Sequence, residues 1–125
     1  MKSLTIRQLD EKNEEIADAL NSLGMSRNIA RILSYVHDSN EATSIELERG
    51  TELRQPEVSI AMKEIKERDW INEREEKKPG KGRPNKVYSL KVGFNKIISQ
   101  LERQQRKAAD EMRSKIERLR KSRRY

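Results

Sequence analysis

Residues 77–85 read Lys-Lys-Pro-Gly-Lys-Gly-Arg-Pro-Asn, and no helix can run through them. Each proline removes an amide donor and locks φ, and each glycine loosens the backbone that a helix must hold. The segments on either side, Trp70-Ile71-Asn72-Glu73-Arg74 and Lys86-Val87-Tyr88-Ser89-Leu90, suit strands. Two short strands joined by a long basic loop predict a hairpin. The chain before the hairpin, and the chain after it, are patterned for helices. The expected class is mainly α with a small β-hairpin (α+β).

The helical periodicity is plain ahead of the hairpin. Between Asp10 and Leu23, the residues Ile16, Ala17, Leu20 and Leu23 recur at helical spacing, with the stretch Asn13 to Asp18 facing water. Gly24 stops that helix and Ser26 can cap the next, which places Ile29, Ala30, Leu33 and Val36 on one stripe and ends at His37-Asp38-Ser39-Asn40. A third, short helix starts near Thr43 or Ser44 with Ile45 and Leu47, and Gly50-Thr51-Glu52 lies around a turn. A fourth starts near Gln55 or Pro56, since proline is tolerated in a first turn. It reaches about Asp69 with Val58, Ala61, Met62 and Ile65 inward. The last helix runs from about Gly93 to Arg120 and is highly charged.

Charge narrows the choice of partner. The 125 residues carry 28 basic and 21 acidic side chains, a net +7. Six basic residues and no acid fall between Lys77 and Lys91, and seven basic residues with Glu117 alone fall between Arg113 and Arg124. Those segments hold thirteen of the 28 basic residues and one of the 21 acids, leaving 15 against 20, or −5, elsewhere. Focused basic patches suit a polyanion. With no cysteine and His37 as the only histidine, neither a disulfide framework nor a conventional zinc site is available. No cofactor is implied. No apolar run approaches the roughly 20 residues that span a bilayer, nor does the N-terminus resemble a secretory signal. A cytoplasmic protein without a membrane partner is expected. Catalysis is not: the carboxylates lie on polar helix faces, no nucleophile accompanies His37, and Gly80 and Gly82 do not open a phosphate-binding loop.

Residues 43–59 read Thr-Ser-Ile-Glu-Leu-Glu-Arg-Gly-Thr-Glu-Leu-Arg-Gln-Pro-Glu-Val-Ser. The segment resembles, without gaps, the helix-turn-helix pattern T-x-x-E-L-x-x-x-x-x-L-S-Q-P-T-V-S, through Thr43, Glu46, Leu47, Leu53, Gln55, Pro56, Val58 and Ser59. The run from Gly80 to Leu90 is similar to the wing of MarR-, ArsR- and TrmB-like winged helix-turn-helix regulators. Leu23 to Arg31 looks like the helix opening of archaeal TrmB-type domains, which implies a prokaryotic, archaeal regulator. The likeness covers roughly residues 16–91. This sequence departs from the pattern where Glu52 stands at a turn position that glycine often fills, where Arg54 replaces a serine cap, and where Ile60 replaces a polar or basic residue.

The resemblance implies a winged helix-turn-helix domain over residues 1–92 and a long dimerisation helix with a basic tail over 93–125. It also implies that the outer face of the fourth helix, about 55–69, enters the major groove of double-stranded DNA. With Val58, Ala61, Met62 and Ile65 inward, that face presents Gln55, Pro56, Glu57, Ser59, Ile60 and Lys63. Gln55 can read adenine and Ile60 a thymine methyl; Arg54, Ser59 and Lys63 suit phosphates, and Glu57 is tolerable only against a cytosine amine or another paired group. In the wing, residues 77–86, Gly82-Arg83-Pro84 has the form of an AT-hook that slides arginine into a narrow minor groove, with Lys78, Lys81 and Lys86 on flanking phosphates. A soluble hairpin tip whose charges prevent aggregation is the plainer alternative.

In the last helix Phe94, Ile98, Leu101, Gln105, Ala108, Met112, Lys115 and Leu119 alternate by four and three, a heptad seam that Ile97, Ala109 and Ile116 widen. The expected dimer interface is Phe94, Ile97, Ile98, Leu101, Gln105, Ala108, Met112 and Leu119; a helix folded back on its own domain is the alternative. Expected partners are double-stranded DNA and a second copy of the chain, with room at a dimer seam for a small-molecule effector. The other functions open to this pattern are a protein-interaction or RNA-binding winged helix and a non-specific architectural DNA binder.

Overall fold

The computed structural model describes residues 9–76 and 85–122. The order is α1 (Glu11–Ser22), α2 (Arg27–Ser39), β1 (Glu41–Thr43), α3 (Ser44–Thr51), α4 (Gln55–Glu67), β2 (Ile71–Glu76), β3 (Asn85–Leu90) and α5 (Phe94–Lys121). The three strands form one antiparallel sheet in the order β1-β3-β2, with Glu73 opposite Tyr88 and Thr43 opposite Val87.

Local chemistry sets most of the boundaries. Asp10 caps α1 by accepting from the Asn13 amide at 2.8 Å, and Ser26 caps α2 by accepting from Ile29 at 3.2 Å. Thr43 and Glu46 make a reciprocal capping box on α3: the Glu46 amide donates to Thr43 Oγ1 at 3.2 Å and the Thr43 amide to Glu46 Oε1 at 2.9 Å. The helix ends when Glu52 turns left-handed at φ 61°, a conformation unusual for a side chain of this kind. Of Gly50, Thr51 and Glu52, only Glu52 stands in the turn: Gly50 and Thr51 still belong to α3. Arg54 offers α4 no side-chain cap; instead its own amide donates to Glu57 Oε1 at 2.9 Å, while Pro56 supplies a pre-set φ in the first turn.

Helix α2 is the axis of the core. Ile29 through Val36 are buried without a break, and around them pack Leu20, Leu47, Val58, Ile65, Trp70, Ile97 and Leu101. Burying each large apolar side chain is worth about 1.5–3 kcal/mol. Trp70 fills the core beside Ile71, and its indole Nε1–H donates to Gln100 Oε1 at 2.7 Å. Asn13 departs from expectation: it is buried, not facing water, because its side chain turns back to accept from the Asp10 amide at 3.4 Å and its carbonyl accepts from Ser34 Oγ at 3.0 Å.

The core reaches past residue 92 into α5. Ile97 and Leu101, expected at a dimer seam, are buried in the chain's own domain, and Phe94 stacks on His37 at 4.4 Å between ring centroids. Gln105 is exposed but reaches back to the domain, its amide donating to the Leu23 carbonyl at 2.6 Å. The heptad stripe could not show this, because an apolar stripe packs equally well on its own domain or on a partner. From Glu102 to Lys121 every residue of α5 is exposed, Ala108, Met112 and Leu119 among them. Among the described residues no helix is long and apolar enough to cross a membrane.

Candidate nucleic-acid interface

The two-sidedness of α4 follows from its sequence. Val58, Ala61, Met62 and Ile65 are buried, so the 3.6-residue period leaves Gln55, Pro56, Ser59, Ile60 and Lys63 on the exposed side. Ile60 is 73% exposed, a large apolar side chain standing in water near the middle of the helix. Arg54 is exposed at the N-cap. Glu57 is half-buried, and its carboxylate is occupied in closing the first turn; that gives it a structural task at the helix terminus, which its placement on the outer face by periodicity had not suggested. Gln55 Nε2 donates to Ser59 Oγ at 3.0 Å, which holds the amide along the exposed face and leaves its second N–H and its carbonyl unused by that bond.

Beside this face runs a cleft of about 390 Å³ lined by residues of α3, α4 and β3, including Gln55, Ser59, Lys63, Lys66 and Lys86. The sheet thus brings Lys86, which is exposed on β3, to the same groove as the outer residues of α4. Lys78, Lys81, Gly82 and Arg83 lie outside the described residues. The strands that lead to them are formed, with Glu75 opposite Lys86 and Glu76 opposite Asn85.

The electrostatics are uneven. From Ser44 to Glu67 there are four basic and six acidic residues. Helices α3 and α4 therefore carry no net attraction for a polyanion, whereas the sequence from Lys77 to Lys91 holds six bases and no acid. The Lys66 ammonium is bonded to Glu73 of β2 and lies 5.8 Å from the centroid of the Tyr88 ring. Sequence reasoning missed this group, since nothing in a helix or a strand read singly shows that Lys66 and Glu73 meet. It missed β1 too, a strand of three residues that exists only as a partner to β3.

A second feature supports the turn between α3 and α4. The Arg31 guanidinium is buried, with Nε and Nη2 donating to the Thr51 carbonyl at 3.1 and 2.9 Å. Its Nη1 donates to both Glu14 oxygens at 2.9 and 2.8 Å. The last carbonyl of α3 is thus held from α2, and α2 from α1. The available signal was a charge inside an otherwise apolar stretch, which demands a partner.

Three helices, a left-handed turn, a helix with an exposed outer face, and an antiparallel hairpin beside it define a known arrangement. The chain has the winged-helix fold of the MarR regulators. A structure described as a possible transcriptional regulator from Methanosarcina mazei matches 91% of this chain and 98% of its own, with a TM-score of 0.61 at 13% identity. The multiple antibiotic resistance repressor MarR matches 84% of this chain and 75% of its own at TM-score 0.52 and 15% identity. A MarR variant from E. coli, complexed with operator DNA, matches 74% of this chain and 65% of its own at TM-score 0.51 and 15% identity. No family model matches the sequence, and no curated protein resembles it significantly. In winged-helix terms α3 and α4 are the helix-turn-helix, α4 its second helix, and β2–β3 the wing stem.

Proposed function

We propose that this protein is a sequence-specific, double-stranded-DNA-binding transcriptional regulator that acts as a homodimer in the cytoplasm and catalyses no reaction. In this reading the exposed face of α4 enters the major groove while the wing, residues 77–86, follows the backbone and the adjacent minor groove. The observation that carries the proposal is the placement of Lys86, at the base of the basic wing, on one cleft with Gln55, Ser59 and Lys63 of α4. A structural neighbour solved with operator DNA supports it. Ile60 supports it as well: an isolated exposed isoleucine on such a face suits a thymine methyl group.

The acidic balance of the helix-turn-helix assigns the work within this reading. Attraction to the phosphate backbone falls to the wing, and discrimination among bases falls to α4. Selection of duplexes from a random pool, with the affinity of the winners followed across salt, tests the proposal. A palindromic winner that binds well above bulk DNA and weakens steeply with salt is expected. Equal, weak binding to every duplex would remove sequence specificity and leave an architectural role; no binding at all would leave the fold as a protein- or RNA-interaction module.

A further inference from the structure

Among the lysines that line the cleft between α4 and β3, Lys66 differs from its neighbours. Lys63 makes no ion pair among the described residues, whereas Lys66 is bonded to the Glu73 carboxylate. Glu73 stands directly across the ladder from Tyr88. The Tyr88 ring lies under the same ammonium. Three elements, α4, β2 and β3, therefore converge on one lysine and hold it against the sheet at the rim of the groove.

We infer that Glu73 withholds Lys66 from the DNA backbone and so limits the protein's sequence-independent affinity for DNA. The inference rests on the DNA-binding reading. A lysine that neutralises a phosphate releases condensed counterions, and each such contact adds about 0.9 to the slope of log affinity against log salt. A lysine already neutralised by a carboxylate releases none. Since Ser44 to Glu67 holds more acids than bases, the helices contribute few cations, and withholding one of them changes the backbone affinity materially. The face of the Tyr88 ring offers the ammonium a second attraction that a phosphate must outcompete.

The test is binding of the full chain to a random-sequence duplex across a salt series, read by fluorescence anisotropy. Glu73→Gln is expected to bind several-fold more tightly at low salt, with a slope steeper by about 0.9. Glu73→Thr, which suits a strand, is expected to do the same. Adding Lys66→Gln to Glu73→Gln should return the slope to that of the wild type. If the gain persists in that double variant, it comes from general relief of repulsion and the inference fails. An unchanged slope in both single variants overturns it as well, with the DNA reading intact. A wild type that binds no duplex overturns the DNA reading itself, and this inference with it.

Discussion

Glu73 and Lys66 also tie the pH dependence of the fold to the rim of the cleft. The hydrogen bond from Lys66 holds the Glu73 carboxyl below its usual value, against a smaller opposing effect of burial. The same bond holds the Lys66 ammonium above its usual value. A depressed folded-state carboxyl contributes stability that is complete above the unfolded value, about 4.3, and is lost as pH falls through the lower folded value. A raised ammonium contributes fully below about 10.4 and loses its share as pH rises through the folded value. The stability difference between wild type and Glu73→Gln should therefore be level through neutral pH and shrink at both extremes. Urea midpoints across pH measure it, and a difference that persists unchanged into strong acid would show that the pair does not contribute. Gln55 makes a separate demand. With one N–H on Ser59 Oγ, its remaining N–H and carbonyl still match the two groups of an adenine edge. Gln55→Ala should relax base preference at one position per half-site, with about 1–3 kcal/mol of discrimination lost there. An unchanged preference in a binding selection would assign base reading to other residues of α4.

At the scale of elements, a buried guanidinium holds the end of α3, where the chain turns toward α4. Arg31→Leu would leave the Thr51 carbonyl without both of its donors, and should destabilise the fold by about 2–3 kcal/mol. Glu14→Gln keeps an acceptor on a half-exposed side chain and should lower stability by under about 1 kcal/mol. Equal losses in chemical denaturation would mean that the bridge to α1, not the hold on α3, is what matters. The wing can be separated from the helix in the same spirit. Arg83→Ala should weaken binding most on sites flanked by A/T, where the narrow groove concentrates negative potential; an equal loss on G/C-flanked sites would make Arg83 a phosphate contact. These elements differ in how far the sequence announced them. Ser26, the Thr43–Glu46 box and Pro56 fix helix starts locally, and the stripe Val58-Ala61-Met62-Ile65 fixes which side of α4 is exposed, so the outer face could be read in advance. Lys66 with Glu73, and Arg31 with Thr51, are meetings of distant segments. No periodicity encodes those, and β1 is too short to have any.

The whole molecule turns on α5, whose two halves have different environments. Its first turns belong to the domain through Ile97 and Leu101. Its remainder, Glu102–Lys121, is a helix about 30 Å long with every residue exposed. The ion pairs Arg106–Glu102 and Arg113–Asp110 are exposed and worth little, and an isolated helix of this length is marginal in water. Yet Met112, Ile116 and Leu119 stand 64, 44 and 50% exposed, spaced by four and three. A second copy laid along that stripe would cover them and set two α4 helices apart on one face of a duplex. Ile116→Glu combined with Leu119→Glu places carboxylates in such a seam, and should give a monomer in sedimentation velocity at micromolar concentration. The wild-type melting temperature should rise with protein concentration and the variant's should not. Affinity for a palindrome should fall to that for a single half-site, while half-site affinity is kept, because the substituted positions lie in the part of α5 that leaves the core untouched. An unchanged mass would place the seam elsewhere on the chain. A monomer that still prefers the palindrome would mean that the DNA, and not α5, brings the two copies together.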